Sequence, residues 1–256
     1  PAKPPSARVL IALPDAPSVI KEQILNNLRR KLLEAGHPVH IQWFNWQDRI
    51  LRSVPNHSCD VILLMPAAEE LHYSDMLRLK SFNVPILFLD IAPAAKFTAN
   101  FIHSDNVQGG AMAAMHLAKL GHKRLAIFAG EPNINAPKDR ISGFVRQCEL
   151  LKLPKPEVFD CGTRSGEIAA GKTFDFANKL IKSGMLDFSA AFCVSDNTAL
   201  GLLHALYAAG IKVPEEISVM GFDGIQDGAF YNPPLCTLAQ NFDAFSENAL
   251  TFISES

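Results

Sequence analysis

Short apolar runs separated by amphipathic stretches of helical period recur from one end of the chain to the other. This rhythm constrains the fold more than any other feature of the sequence. Such alternation predicts a parallel sheet whose strands are joined by crossover helices. In the first unit Val9 to Leu13 reads as a buried strand, and Ile20, Ile24, Leu28 and Leu32 then recur at i, i+4 spacing until Gly36 stops the helix. The phrase repeats with Val61 to Leu64 and a helix near Glu69 to Phe82, then with Ile86 to Leu89. Phe101 to His103 precedes a helix near Asn106 to Leu120 ended by Gly121, and Leu125 to Ala129 precedes one near Lys138 to Leu151. Val158 to Asp160 leads into a helix from Gly166 to Ser183, Ala190 to Val194 into one from Asn197 to Ala209 ended by Gly210, and Ser218 to Phe222 closes the series.

About nine strands exceed what one open sheet in 256 residues comfortably holds, and 48% hydrophobic residues suffice for a large core. The expected fold is therefore α/β, with two Rossmann-like lobes and the segment Gly121 to Arg124 as the hinge between two sheets. The lobes are expected at residues 6–121 with about 241–256, and at 122–240. Lys and Arg total 24 against 26 Asp and Glu, so no uniform basic field attracts nucleic acid or anionic lipid. Five widely separated cysteines with no Cys-x-x-Cys pair argue against a disulfide framework and a zinc site, and fit a reducing compartment. The apolar runs are shorter than the roughly 18 residues of a membrane helix. Val9 to Leu13 is also too short for a signal-peptide core. With Pro1 in place of an initiator Met, the chain reads as a processed protein or a fragment.

In parallel α/β sheets ligands bind beyond the carboxyl ends of the strands. The residues there are acidic or polar: Asp15, Asp90, Asp105, Ser195 with Asp196, and Asp223. Asp105 and Asp196 directly precede helices and suit helix N-capping equally well. Asp223 precedes no obvious helix, and an Asx-turn is its alternative role. A set of carboxylates with Arg140, Gln240, Phe230 and Tyr231 suits a polyhydroxylated ligand: carboxylates accept from hydroxyls, a guanidinium donates in a planar fork, and aromatic faces cover a ring. Arg140 could equally be a solvated helix residue paired with an acid. Asp223 is expected to matter more to a ligand than to the fold.

Two other chemistries are weaker. The stretch Gly166-Glu-Ile-Ala-Ala-Gly171-Lys172-Thr173 satisfies the P-loop pattern formally, and Asp196 could pass for the companion acid. Yet Glu167 to Ala170 favour helix, and Ala169, Phe176, Ala177 and Leu180 keep helical spacing through the motif. Gly171 is then expected at a close helix packing contact. No G-x-S-x-G, H-E-x-x-H or Cys-x-x-Cys occurs, and His116, among small and apolar residues, reads as structural. No enzymatic turnover, cofactor or resident metal is expected.

Six segments, taken together, carry a family resemblance. They are His103-Ser-Asp105-Asn-Val-Gln-Gly109-Gly, His116-Leu-Ala-Lys-Leu-Gly121-His-Lys-Arg-Leu-Ala-Ile, Arg140-Ile-Ser-Gly143-Phe, Phe192-Cys-Val-Ser-Asp196-Asn-Thr-Ala-Leu-Gly201, Val213-Pro-Glu-Glu-Ile-Ser-Val-Met-Gly221-Phe-Asp223 and Tyr231-Asn-Pro-Pro-Leu-Cys-Thr-Leu-Ala-Gln240. In that order they closely resemble the effector-binding region of LacI/GalR-family transcription regulators, densely over residues 101–240 and weakly over 8–100. The resemblance implies a periplasmic-binding-protein-like fold of type I, with a small sugar-like or nucleoside-like effector between the lobes. It also implies a cytoplasmic homodimer that reaches operator DNA through an N-terminal helix-turn-helix domain. Pro1 to Pro5 resembles the linker that follows such a domain. Effector contacts carried over from the family fall on Asp105, Arg140, Ser195, Asp196, Asp223 and Gln240.

The first loop, Asp15-Ala-Pro-Ser18, lacks the aromatic residue that many sugar-responsive members place there, which leaves the effector class open. The chain also stops at Ser256, short of the family plan. Dimer surfaces are expected on the helix with Leu71, Met76 and Leu79 and on the helix near Asn197 to Ala209, unless these apolar residues face the sheets. A periplasmic sugar receptor of the same fold is the competing binding module; the cysteines and the quoted segments favour the regulator.

Overall fold

The computed structural model describes residues 6–16, 18–48, 50–52, 59–67, 71–91, 98–130, 135–164 and 167–256. The readings made above for Pro1 to Pro5, Pro17, Glu69 and Gly166 lie outside them. Among the described residues the chain forms two compact units, 1–104 with 241–256, and 105–240.

The first unit is built on β1 (Val9–Pro14), β2 (Val39–Phe44), β3 (Val61–Leu64), β4 (Ile86–Leu89) and β5 (Asn100–Ile102). All pair in parallel, in the order β2-β1-β3-β4-β5. β1 is buried on both faces, which is why it reads as an unbroken apolar run. Val9, Ile11 and Leu13 pack with Ile24, Leu28 and Leu32 of α1 (Val19–Ala35) and Ala249 and Ile253 of α7 (Phe242–Glu255). Leu10 and Ala12 turn to the opposite face, toward Met76 and Leu79 of α2 (Tyr73–Lys80). Truncating a fully buried residue such as Ile11 or Leu28 to Ala costs about 2–5 kcal/mol. Ser18 caps α1 by accepting from the Lys21 amide, and Gly36, at φ 90°, ends it where the sequence placed the stop.

The second unit contains β6 (Leu125–Ala129), β7 (Glu157–Asp160), β8 (Ala190–Cys193), β9 (Ser218–Asp223) and β10 (Cys236–Ala239), again parallel, in the order β10-β9-β8-β6-β7. One face carries α3 (Asn106–Lys119) and α4 (Asn135–Leu150) over Ile127, Phe192 and Phe222. α5 (Ala169–Lys182) and α6 (Asp196–Ala208) are the other crossover helices. Phe128, Phe159, Phe176 and Phe188 form an aromatic cluster, with ring centroids 5.2–6.3 Å apart.

Several expectations need correction. There are ten described strands. The two that no apolar run announced, β2 and β10, are sheet edges whose half-exposed residues break the run. The division between units falls before α3 and not at Gly121 to Arg124, because α3 packs on α4. α6 starts at Asp196, so Ser195 is its N-cap and Asp196 its first helical residue. Gly171 has open space where a Cβ would stand. The close helix contact belongs instead to Gly201 of α6, where a Cβ would strike the Ala170 carbonyl and the Thr173 Cβ. Lys172 already lies within α5 and pairs with Glu167 at 2.9 Å, so the P-loop pattern holds no phosphate loop. His116 is exposed, on the surface of α3. Leu71, Met76 and Leu79, and the α6 residues Leu202, Leu203 and Leu206, are core residues of their own units, the alternative that the sequence left open for them.

Candidate functional site

The second sheet gathers polar groups at the carboxyl ends of its strands. Their placement begins with two glycines. A Cβ on Gly110 of α3 would strike the Arg140 carbonyl, and one on Gly143 of α4 would strike the Val107 carbonyl, so the two helices touch backbone to backbone. This close crossing brings Asn106, at the start of α3, against Arg140 on α4.

Arg140 is buried, which excludes the solvated role open to it in the sequence. Its Nε donates to Asn106 Oδ1 at 2.8 Å, and its Nη1 donates to the Val194 carbonyl at 2.6 Å and to Asp223 Oδ1 at 3.2 Å. The guanidinium carbon lies 3.8 Å from the centroid of the Phe222 ring, a cation–π contact that steadies a charge with little water around it. Asp223 Oδ1 also accepts from Gln240 Nε2 at 2.9 Å. Both members of the Arg140–Asp223 pair are desolvated, with side-chain exposures of 8% and 9%. Asp223 has φ 132°, a conformation that L residues rarely adopt and that costs about 1–3 kcal/mol where surroundings impose it.

The surroundings doing so include Asp196. Its carboxylate is fully buried and accepts from the amides of Gly224 and Ile225 at 2.8 Å each and from the Thr237 hydroxyl at 2.6 Å. Burial raises its pKa, and these three donors oppose the rise. Asp196 therefore ties the turn after β9 to β10 and aims Asp223; both its oxygens are spent on that task. Gly221 belongs to the same arrangement, because a Cβ there would strike Asp196 Oδ1.

The remaining residues singled out from sequence are placed differently. Asp105 is exposed and caps α3, accepting from the Gln108 amide at 2.9 Å. Ser195 caps α6 by accepting from the Thr198 amide at 3.2 Å. Phe230 is 87% exposed at the end of a short 3-10 helix, Gln226–Phe230, and makes no ring contact with the cluster. Asp15 lies in the first unit, exposed after β1, and accepts from the Trp46 amide at 2.9 Å.

Sequence reasoning missed three residues. Asn106 and Phe222 hold Arg140, and both sit inside quoted segments, directly beside Asp105 and Asp223. The third is Lys21, buried in the first unit with its Nζ donating to the carbonyls of Pro14 and Ala16, 4.9 Å from the Trp43 ring centroid. Burial lowers its pKa. Nothing in the local pattern marked this lysine, since it occupies an ordinary first-turn helix position.

A match to the periplasmic binding protein-like domain covers residues 114–255, more than half the chain. The chain belongs to the periplasmic binding protein-like domain family. The curated relatives it matches are transcriptional repressors. It is 30% identical over 173 residues to the HTH-type transcriptional repressor PurR of Actinobacillus pleuropneumoniae, a match that spans 68% of this chain and 50% of that protein. The chain thus spans about half the length of the curated relatives it matches. A ribose-bound LacI-family regulator from Enterococcus faecium superposes with a TM-score of 0.79 at 20% identity, covering 96% of this chain and 88% of that one. The lac repressor dimer bound to operator gives 0.74 at 21% identity, over 98% and 87%. At these identities the superpositions establish the fold, which is the one the sequence predicted. Among the described residues no helix is long and apolar enough to cross a membrane.

Proposed function

We propose that the chain is the effector-binding region of a LacI/GalR-type transcriptional regulator, taking a small sugar-like or nucleoside-like molecule at the carboxyl edge of the second sheet. The observation that carries this reading is the buried Arg140–Asp223–Gln240 cluster, held by Asn106 and Phe222. The contacts described use Arg140 Nε and Nη1, and Nη2 is the donor left for a ligand oxygen or ring nitrogen. Gln240 and Asp223 add a donor and an acceptor beside it, the pairing that hydroxyls and base edges both satisfy. Asp105 and Ser195, which cap their helices, directly adjoin Asn106 and Val194 of this cluster in the chain.

Binding is the whole event in this reading, with no turnover. Within the Arg140–Asp223–Gln240 cluster the polar groups pair with one another, and no nucleophile stands against a base there. The protein works in the cytoplasm as a homodimer and reaches operator DNA through a helix-turn-helix domain outside these 256 residues. With the inner faces of α2 and α6 committed to their cores, the dimer contact falls to outward residues of the same helices: Tyr73 and Leu77 on α2, and Tyr207 on α6. Sedimentation at micromolar concentration tests association, and strictly monomeric behaviour would remove the dimer from the account. Calorimetry against sugars, sugar phosphates, nucleosides and nucleobases tests the effector. Saturable binding of one class is expected; product formation, or no binding at millimolar ligand, would refute the reading.

A further inference from the structure

Cys148, Cys161 and Cys193 are buried and Cys59 is half-buried, whereas Cys236 is exposed at the start of the edge strand β10. Its sulfur lies 3.9 Å from Nε2 of His116 on α3, which is also exposed. Gly109 of α3 lies closest to Phe222 of β9, whose ring a Cβ there would strike, and that Cβ would stand in ordinary contact, 3.6 Å, with Leu238 Cδ2 of β10. Gly109 and His116 fall almost in line on the helix, at i and i+7, so α3 runs along β10 from Leu238 back to Cys236. Met112 stands between them, one turn before His116 and on the solvent side of the fully buried Ala113; it is 45% exposed.

We propose that Met112, His116 and Cys236 form a binding site for a soft, low-coordinate metal ion, Cu(I) being the ion whose preferences match. Thiolate and thioether sulfurs select Cu(I), and imidazole suits copper as well. A metal about 2.3 Å from sulfur and about 2.0 Å from nitrogen separates the two donors by about 3.5 Å at the tetrahedral angle and about 4.3 Å when linear. The 3.9 Å between Cys236 and His116 falls in this interval, so an ion of low coordination enters with little rearrangement. Met112 closes the third position; its unbranched, flexible thioether reaches across one helical turn. This donor set falls outside the usual His, Cys, Asp and Glu clusters, and no cluster of three such residues exists among the described residues.

The local charge favours a cation. Thr237, next to Cys236, donates to the buried Asp196 carboxylate, which leaves a negative group close behind the site. On binding, the Cys236 thiol transfers its proton to solvent and its sulfur lone pair forms the metal bond, with no change of oxidation state at copper or sulfur. The ion would staple α3 to β10, two elements whose other ends carry Asn106 and Gln240.

Anaerobic titration of the protein with Cu(I), in competition with a chromogenic Cu(I) chelator, tests the site. One ion per chain is expected, with release of about one proton. Cys236→Ser and His116→Ala should each weaken binding tenfold or more and Met112→Leu severalfold, while Cys59→Ser leaves it unchanged. The three site variants should keep the wild-type circular dichroism, since Met112, His116 and Cys236 are exposed. Equal binding by wild type and Cys236→Ser, or no competition with the chelator, would overturn the proposal and reduce the contact to a thiol–imidazole hydrogen bond.

Discussion

Replacing Asp223 by Ala removes the acceptor that Arg140 and Gln240 share and leaves a guanidinium buried without its counter-charge. Breaking a buried ion pair by deleting one partner costs about 3–5 kcal/mol. Arg140 keeps the Val194 carbonyl, Asn106 and the Phe222 ring, which places the loss at the lower end, about 3 kcal/mol. With a urea m-value of about 2 kcal/mol/M, the midpoint should fall by about 1.5 M. The geometry thus revises the expectation that this acid matters to the ligand more than to the fold. Asp223→Gly separates charge from backbone: it loses the same carboxylate but adopts φ 132° without strain, so it should be about 1 kcal/mol more stable than Asp223→Ala. Urea denaturation followed by far-ultraviolet circular dichroism measures both differences. An Asp223→Ala protein within about 0.5 kcal/mol of wild type would refute the pairing argument, and equal stability of the two variants would refute the strain.

Asp196→Ala should cost about 3 kcal/mol, because three donors lose their acceptor, whereas Asp196→Asn should be nearly neutral: its oxygen still accepts from the turn amides while Thr237 reverses to accept. Burial raises the Asp196 pKa above 3.8, so the folded protein holds this proton more tightly than the unfolded chain. Its contribution to stability is therefore greatest at low pH and declines as pH rises from about 4 through the raised value, a slope that Asp196→Asn should abolish in pH-dependent denaturation. Gly201→Ala should destabilise by about 1–3 kcal/mol through its clash with α5. Gly171→Ala, into open space within an exposed helix, should stabilise by about 0.5–1 kcal/mol; thermal melts that fail to show opposite signs would contradict the packing assigned to these glycines.

The fold was legible because parallel strands covered on both faces must be nearly all apolar, and runs such as Val9 to Leu13 have no other explanation in a chain of this charge. β2 and β10 escaped notice because an edge strand needs only an intermittent apolar face. Among polar residues, position at a strand end singled out Asp223, and the family resemblance added Arg140 and Gln240; the structure brings the three together. Position could not divide caps from ligand groups, since Asp105, Ser195 and Asp196 satisfy both descriptions; only the donors their oxygens meet separate them. Asn106, Phe222 and Lys21 depend on contacts distant in sequence, such as the Gly110–Gly143 crossing, and no local spacing encodes those.

Gln240→Ala tests the central claim most directly, because Gln240 is half-buried, uncharged and joined to the cluster by a side-chain hydrogen bond to Asp223. Its removal should change stability by about 1 kcal/mol or less. Calorimetric titration of wild type and variant with the effector class identified by screening should show an affinity loss of about fivefold to tenfold for Gln240→Ala, with unfolding midpoints close together. Identical affinities for a tightly bound effector would place binding elsewhere and contradict a site at the Arg140–Asp223–Gln240 cluster.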